Sequence, residues 1–219
     1  MERDGIARIF NTSYIIAKTD FKIKNEGSYL GFLWNILTPL LVFLILLSIR
    51  GVVNIGNDPN YPVYLLIGLM VFNFFRQSSI SSLRAITGNS KLINSMNISP
   101  MVFIMAKMIY SIFSHLFELL ILICVLIIYG ISVNWLFIYL IIFVFLVVFT
   151  FGLNLILSTL FVFIRDINDL WNVFVRILWF ATPIFYGLDN EGVIYKFNLF
   201  NPLFYFIEIS RSVIINNKI

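Results

Sequence analysis

Two ionisable side chains, His115 and Glu118, stand three residues apart in an otherwise apolar stretch of the chain. Residues at this spacing share one face of a helix, and a carboxylate at membrane depth is costly unless it faces a partner, a cavity or water. The pair therefore predicts either a proton relay or a structural polar contact. A relay normally needs several acidic groups, so the structural contact is favoured, with Arg176 as a candidate partner.

Other residue types that carry chemistry are scarce. Cys124 and His115 are the only cysteine and histidine, which excludes a disulfide framework, a cysteine-based metal cluster and a multi-histidine metal site. None of the 11 glycines begins a G-x-x-x-x-G-K-[ST] phosphate loop. Asp166 and Asp169 share a short turn in which helix capping accounts for both. The sequence therefore predicts no catalytic, cofactor-binding or metal-ligating residue.

The composition places the chain in a membrane. Its 219 residues are 60% hydrophobic, 17% aromatic and 12% charged, with a mean hydropathy of +0.96. A soluble domain needs about twice that charged fraction, and a disordered chain is poor in aromatic residues. Nine of the 26 charged residues lie within positions 1–26. The net charge of +4 is therefore attributed to membrane topology rather than to an anionic partner such as nucleic acid.

The longest charge-free stretch covers 46 residues, 119–164. As one helix it would be about 69 Å long, roughly twice a hydrocarbon core of about 30 Å, so we expect it to fold back at Gly130. By the same reasoning the second apolar run, which begins at Tyr61, is long enough to cross the membrane only if its helix continues past Arg76 to Leu83. The five predicted spans cover about residues 32–49, 61–83, 101–129, 136–163 and 170–185.

The predicted organisation is a single all-α membrane domain over 1–219, with a cytoplasmic arm at 1–26, the five spans within 30–187 and an outer segment at 188–219. Lysines and arginines concentrate in the arm and around the connection between the second and third spans. The positive-inside rule then predicts a cytoplasmic N-terminus. A cleaved signal peptide is disfavoured because the first apolar run begins only at Phe32 and has no small-x-small site after it.

The N-terminal arm has the pattern of an amphipathic helix in the headgroup layer, because Ile6, Ile9, Phe10, Tyr14 and Ala17 recur at helical spacing. Such a helix could be a topological anchor, or it could contact a partner or gate an entrance. The connection at 78–100 is too long for a minimal turn between helices. It suits either a short helix parallel to the membrane or a solvated loop.

The aromatic content is also unusual, with 24 Phe, 10 Tyr and 4 Trp. Lipid-facing positions account for most of them, but an interfacial belt does not explain all the aromatic residues within or near spans. Aromatic faces stack on sugar rings without strong sequence preference, so these residues are candidates for a glycan path. They are Trp34, Tyr110, Trp179, Phe180 and Tyr186.

Three segments together resemble the membrane subunit of ABC-2-type exporters of polysaccharides, the family that handles O-antigen, capsule and teichoic-acid chains. They are YLGFLWNILTPL at 29–40, FIRDI at 163–167 with TPIFY at 182–186, and NPL at 201–203 followed by Arg211. Their order and spacing extend the resemblance over essentially the whole chain. The motif residues are Gly31, Pro39, Arg165, Asp166, Pro183, Asn201 and Pro202.

This resemblance implies a homodimer of permeases in the bacterial cytoplasmic membrane, carrying two ATP-binding subunits that hold ATP and Mg²⁺, with no cofactor on this chain. It implies that the arm is a gate helix, that 82–96 is a coupling helix and that 197–207 belongs to a re-entrant outer element. The coupling residues would be Ser82, Arg84, Lys91 and Leu92. Members of the family usually have a sixth span, so we expect this 219-residue chain to be one span short.

The leading hypothesis is a permease through which a lipid-linked glycan passes. One alternative is an ABC-2 exporter of a drug or small lipid. Another is a membrane-embedded acyl- or glycosyltransferase, which would need a base and usually an acidic pair at the membrane surface. A third is an assembly subunit with no pathway of its own.

Overall fold

The computed structural model describes residues 2–26, 33–53, 59–187 and 192–216, with side chains at 7–23, 33–49, 59–187 and 192–215. Every regular element in these ranges is helical, which confirms the all-α prediction. The α-helices are α1 (Glu2–Glu26), α2 (Trp34–Val53), α3 (Tyr61–Leu83), α4 (Ser90–Met96), α5 (Pro100–Ile128), α6 (Leu136–Phe163), α7 (Ile167–Ala181), α8 (Val193–Asn198) and α9 (Pro202–Asn216). Single 3₁₀ turns at Thr87–Asn89 and Val133–Trp135 precede α4 and α6.

The fold-back between α5 and α6 lies where the sequence predicts it. Gly130 has a positive φ of 68°, a left-handed conformation that suits glycine at the end of a helix. The amide of Ile131 donates to the carbonyl of Leu126 at 3.0 Å and closes the last turn of α5. Ser132 then accepts a hydrogen bond from the amide of Asn134 and caps the following 3₁₀ turn.

Within the described residues, three segments are long and apolar enough to cross a membrane: α3, α5 and Val133–Phe163. The continuation of α3 past Arg76 to Leu83 is confirmed. The apolar part of α2, Trp34–Ile49, is shorter. The predicted fifth span differs most, because α7 has 15 residues and ends at Ala181 instead of Phe185. Proline cannot continue a helix, so Pro183 explains this early end.

The chain forms two compact units. The first comprises Met1–Leu33, Phe74–Ser114 and Val147–Phe174. In this unit Ala17 of α1 packs on Ala106 and Tyr110 of α5, and Asp20 forms an ion pair with Lys107 at 2.7 Å. The packed face of α1 therefore includes Ala17, the last residue of the apolar pattern that the sequence suggested.

The predicted gate residues of α1 differ in their exposure. Phe10 and Tyr14 are exposed and Ile9 is half-buried, whereas Ser13 is buried and donates to the carbonyl of Val102 at 3.0 Å. Ile6 lies on the helix, but its side chain is outside the described set. The small residues Ser13 and Ala17 allow the two helices to approach closely, and Ile16 and Phe21 pack beside them.

The second unit comprises Trp34–Asn73, His115–Leu146 and Val175–Ile219. The first half of α3 is its most buried element: Val63, Leu65 and Ile67 are all 0% exposed. A helix that is apolar all round is expected to be buried in this way. The motif residues after α7 and in α9 are also in this unit.

Candidate functional site

The side chain of Arg211, on α9 in the second unit, is the centre of a buried polar cluster and is 3% exposed. Its guanidinium donates to the carbonyls of Pro183 at 2.8 Å and Ile184 at 2.8 Å. It also donates to the carbonyl of Tyr64 at 3.1 Å and to the carboxylate of Glu208 at 2.8 Å. The guanidinium carbon lies 3.4 Å from the centre of the Tyr64 ring. Arg211 thus joins α3, α9 and the turn after α7.

The sequence of this turn explains why its carbonyls need a donor. Thr182 donates its amide to Leu178 and completes the last turn of α7. Pro183 then ends the helix, leaving the carbonyls of residues 183 and 184 outside the helical ladder. A buried carbonyl without a donor is costly, and the planar fork of an arginine can serve several at once.

Two asparagines attach the segment between α8 and α9 to the same turn. Asn201 donates to Thr182 Oγ1 at 2.9 Å and accepts from the amide of Leu203 at 3.1 Å. It is therefore the N-cap of α9, with Pro202 in the first helical position that proline favours. Asn198 donates to the carbonyl of Ala181 at 2.8 Å. The TPIFY part of the second motif segment and the third motif segment consequently form one hydrogen-bonded structure.

Three tyrosines extend this structure. The Tyr61 hydroxyl donates to the carbonyl of Phe185 at 2.9 Å, and the Tyr64 hydroxyl donates to the carbonyl of Tyr186 at 3.0 Å. Tyr186 folds back and donates to the carbonyls of Phe180 and Ala181, both at 2.9 Å. Burial raises the pKa of the Tyr186 hydroxyl above its ordinary value, which keeps this group a neutral donor.

Gly68 of α3 provides the space for the guanidinium of Arg211. A Cβ at this position would lie 2.6 Å from Nη2 of Arg211 and 3.0 Å from the carbonyl oxygen of Ile184. Both distances are shorter than van der Waals contact. The close approach of α3 to the turn therefore requires glycine at position 68.

Replacing Gly68 with alanine is expected to destabilise the protein by about 1–3 kcal/mol, because the added methyl group displaces a bonded guanidinium in a packed site. Thermal unfolding in detergent measures this loss. Gly152→Ala on α6 is the matched control, since an added Cβ there meets nothing within 4 Å and alanine favours the helix. Equal stability of the two variants would contradict the assigned role of Gly68.

A second polar cluster in the same unit contains His115 and Glu118. His115 Nδ1 lies 3.2 Å from a carboxylate oxygen of Glu118, and His115 Nε2 lies 2.9 Å from the Tyr139 hydroxyl. Asn73 donates to the other carboxylate oxygen at 3.2 Å. Because a carboxylate only accepts hydrogen bonds, Nδ1 of His115 is the donor to an ionised Glu118. The ring of His115 also stacks on Phe143 at 4.2 Å.

The carboxylate of Glu118 contacts His115 and Asn73 rather than the partner that the sequence suggested. The predicted pair with Arg176 is not formed: Arg176 is exposed on α7, whereas Glu118 contacts His115 and Asn73. The cluster therefore joins α3, α5 and α6. Arg176 lies on the same side of α7 as other exposed residues, and an arginine at a lipid-facing position can extend its charge to the interface.

The five aromatic candidates occupy different environments. Trp34 and Phe180 are exposed, and Tyr186 is held in the turn described above. Tyr110 is buried in the first unit among Ala17 and Ala106, so its ring forms part of the core there. Trp179 is half-buried with its ring 5.1 Å from that of Phe72. These environments leave Trp34 and Phe180 as the accessible members of the set.

The proposed coupling segment is exposed in the first unit. Arg84, Lys91 and Leu92 are exposed, and α4 has no buried residue. Ser82 differs, because it is 0% exposed near the end of α3 and cannot present its hydroxyl on the surface. The left-handed conformation of Asn97 ends α4. A short polar helix of this kind depends on other contacts for stability.

The remaining motif residues lie near the ends of helices or within them. Pro39 is inside α2, and Gly31 lies outside the described residues. Arg165 and Asp166 are exposed in the turn before α7, where the carbonyl of Asp166 accepts from the amides of Asp169 and Leu170. This turn starts α7 through backbone hydrogen bonds, whereas the sequence suggested capping by the side chains of the two aspartates.

Sequence reasoning missed several residues that complete the two polar clusters. Tyr64, Gly68 and Glu208 serve Arg211, and Asn73 and Tyr139 serve the pair on α5. A signal existed for Asn73, since a polar side chain in an apolar helix is costly without a partner. No local pattern distinguishes Gly68 or Tyr139 from other glycines and tyrosines.

Long apolar helices and few charges are the features of a multi-pass membrane protein. The chain belongs to the ABC-2 type transporter family, whose sequence model matches residues 13–215. The resemblance suggested by the three motif segments is therefore confirmed.

Curated relatives support this assignment over most of the chain. The chain is 30% identical over 215 residues to the O-antigen export system permease protein RfbA of Klebsiella pneumoniae, covering 97% of this chain and 83% of the relative. It is 30% identical over 198 residues to the polysialic acid transport protein KpsM of Escherichia coli, covering 84% and 74%. A further O-antigen export permease, from Myxococcus xanthus, is 25% identical, covering 80% and 68%.

Proposed function

We propose that the chain is the membrane permease subunit of an ATP-driven exporter that moves a lipid-linked polysaccharide across the bacterial cytoplasmic membrane. The observation that supports this proposal most directly is the 30% identity to an O-antigen export permease over 97% of the chain. The glycan is of the O-antigen, capsule or teichoic-acid type. Since the sequence contains no phosphate loop, two separate subunits bind ATP and Mg²⁺ and drive a pair of these permeases.

The cluster around Arg211 supports a specific part of this proposal. Pro183 lies in the turn after α7, and hydrogen bonds join Asn201 and Arg211 to this turn. A non-spanning segment is tolerated in a membrane protein only when protein or water satisfies its backbone. The cluster provides such bonds, as expected for a re-entrant element between α7 and α9.

The glycan path is assigned to aromatic faces that remain accessible. Trp34 and Phe180 are 48% and 64% exposed, and each offers a ring on which a sugar could stack. Tyr110 is no longer a candidate for the glycan path because its ring is buried. The exposed Phe10 and Tyr14 of α1 suit a gate helix in the headgroup layer, with the N-terminus in the cytoplasm.

Deleting the gene in its native host tests the proposed function. The surface glycan should disappear while lipid-linked glycan accumulates inside the cell, and expression of the wild-type chain should restore export. Immunoblotting of intact and lysed cells distinguishes the two pools. An unchanged surface glycan together with altered sensitivity to drugs would favour a small-molecule exporter and contradict a role in polysaccharide export.

Reversing the charges of Arg84 and Lys91 to glutamate is expected to abolish co-purification of the ATP-binding subunit, because both side chains are exposed on the coupling segment. Affinity purification of the tagged permease from membranes measures the association. Lys196→Glu is the matched control, since it reverses an exposed charge on α8. Normal recovery of the partner with the double variant would contradict the coupling assignment.

A further inference from the structure

In the first unit, α1 is fixed to α5 over three successive turns. Ser13, which is 0% exposed, donates to the carbonyl of Val102 at 3.0 Å. One turn later Ala17 lies in the buried core of the contact. After another turn Asp20 forms its ion pair with Lys107 at 2.7 Å. A hydrogen bond, an apolar core and an ion pair thus act on the same stretch of helix, and a segment with this many contacts does not open as easily as a mobile loop.

Aromatic rings strengthen the same contact. The ring of Phe21 lies 6.0 Å from that of Tyr110 and 6.1 Å from that of Phe113. The ring of Tyr14 lies 6.0 Å from that of Phe113 in an edge-to-face arrangement. Aromatic pairs with this separation are favourable beyond the area they bury. The contact between α1 and α5 therefore extends from residue 13 to residue 21.

The inner side of the proposed coupling segment is packed on three helices. Ala85 is 0% exposed and forms a cluster with Phe103 and Ile104 of α5. The partly buried residues on this cluster are Ile86 and Ile93 of the segment, Ile98 just after it, Phe151 and Leu155 of α6, and Ile16 of α1. A helix of seven residues such as α4 is not stable alone, so these apolar contacts hold it in place.

Ile16 links the two sets of contacts. Its side chain packs on the cluster of Ala17 and Ala106 and also on the cluster that contains Ala85. The preceding residue, Ile15, is 63% exposed and points away from both. If the coupling segment moved without α1, a cavity would open beside Ile16, and such cavities are costly. The least costly motion therefore carries α1 along with the segment.

We propose that α1 and the coupling segment move as one rigid body during transport, and that Ile16 is the positioning residue that joins them. α1 then stays on α5 instead of swinging away from it as a separate gate. Close-packed interiors have low compressibility and transmit displacement, so a movement of the segment reaches the exposed Phe10 and Tyr14 without an intermediate step. This inference rests on the proposed function, because the ATP-binding subunits supply the movement.

A reversible cross-link tests whether α1 leaves α5 during transport. In a Cys124→Ser background, which removes the only native cysteine, Asp20→Cys and Lys107→Cys place thiols at two half-buried positions that contact each other. A short bis-methanethiosulfonate reagent links them in the complete exporter in proteoliposomes, and dithiothreitol releases the link. Treatment with a monofunctional methanethiosulfonate is the control for modification of the thiols, and mass spectrometry measures the linked fraction.

The linked exporter should transport glycan and hydrolyse ATP as fast as the released one, because both ends of the link belong to one body. Loss of export that dithiothreitol restores would overturn the proposal, since α1 would then have to leave α5 in each cycle. The deletion experiment reports surface glycan independently of any cross-link. Failure of the rigid-body inference and failure of the export function are therefore distinguishable.

A matched pair of substitutions tests the role of Ile16. Ile16→Ala should reduce recovery of the ATP-binding subunit, measured per tagged permease, about tenfold, because the shortened side chain no longer supports both clusters. Ile15→Ala is the control and should recover the subunit normally, since Ile15 is 63% exposed. Ile16→Val keeps a branched apolar side chain, so it should retain most of the recovery. Equal recovery by Ile16→Ala and Ile15→Ala would contradict the link through Ile16.

Discussion

Replacing Arg211 with alanine is expected to destabilise the protein by about 3–5 kcal/mol, since each buried polar group left without its partner costs about 1–3 kcal/mol. The substitution leaves the carbonyls of Tyr64, Pro183 and Ile184 without the guanidinium donor. It also leaves Glu208 without its cation. Thermal unfolding in detergent and abundance in membranes measure the loss, and glycan export should fall to background.

Two further variants separate charge from geometry at this site. Arg211→Lys retains the positive charge but lacks the planar fork, so its stability should lie between those of the wild type and Arg211→Ala. Gly68→Ala should cost less in the Arg211→Ala background than alone, because the closest atom to the added methyl group is Arg211 Nη2. Additive effects of the two substitutions would show that Gly68 and Arg211 are not coupled.

Replacing Glu118 with leucine is expected to destabilise the protein by about 3 kcal/mol, since each buried polar group left unsatisfied costs about 1–3 kcal/mol. The two orphaned groups are the ring of His115 and the amide of Asn73. Membrane abundance and thermal unfolding measure the effect. Glu118→Gln should lower stability less, because its amide keeps the volume and one acceptor.

A combined variant distinguishes a structural contact from a proton relay. It carries Asn73→Leu, His115→Phe, Glu118→Leu and Tyr139→Phe. If the cluster is a structural contact, removing all its polar groups together should restore most of the stability, because apolar replacements leave nothing unsatisfied. A proton relay requires the opposite pattern. Abolished proton-dependent transport by Glu118→Gln at normal abundance would contradict the structural role.

Much of the fold could be predicted because helices in a membrane are determined by local properties. The bounds of α6 and the continuation of α3 past Arg76 follow from apolar length, since a hydrocarbon core of about 30 Å requires about 20 apolar residues. The end of α5 follows from the conformational freedom of Gly130. The length of α7 was overestimated, because the apolar run continues to Phe185 but Pro183 interrupts the hydrogen bonding.

The candidate site was predicted in part. The motif residues Pro183, Asn201 and Arg211 were identified in sequence, and they belong to one hydrogen-bonded cluster. Their partners Tyr64 and Gly68 lie more than 100 residues away in the chain, and no local pattern connects positions so far apart. Arg176 was the expected partner of Glu118, whereas the structure places the side chains of Asn73 and His115 against its carboxylate.

The sequence by itself determined that this protein belongs in a membrane, which segments are helical and which family its motifs resemble. Those properties follow from composition, apolar length and local backbone preference. Only the tertiary structure decided which face of α1 is packed and which carbonyls accept hydrogen bonds from Arg211. It also decided which two helices are joined by the hydrogen bond between Ser78 and Asn154. A side chain's partner depends on which helices are neighbours, and long-range packing sets that arrangement.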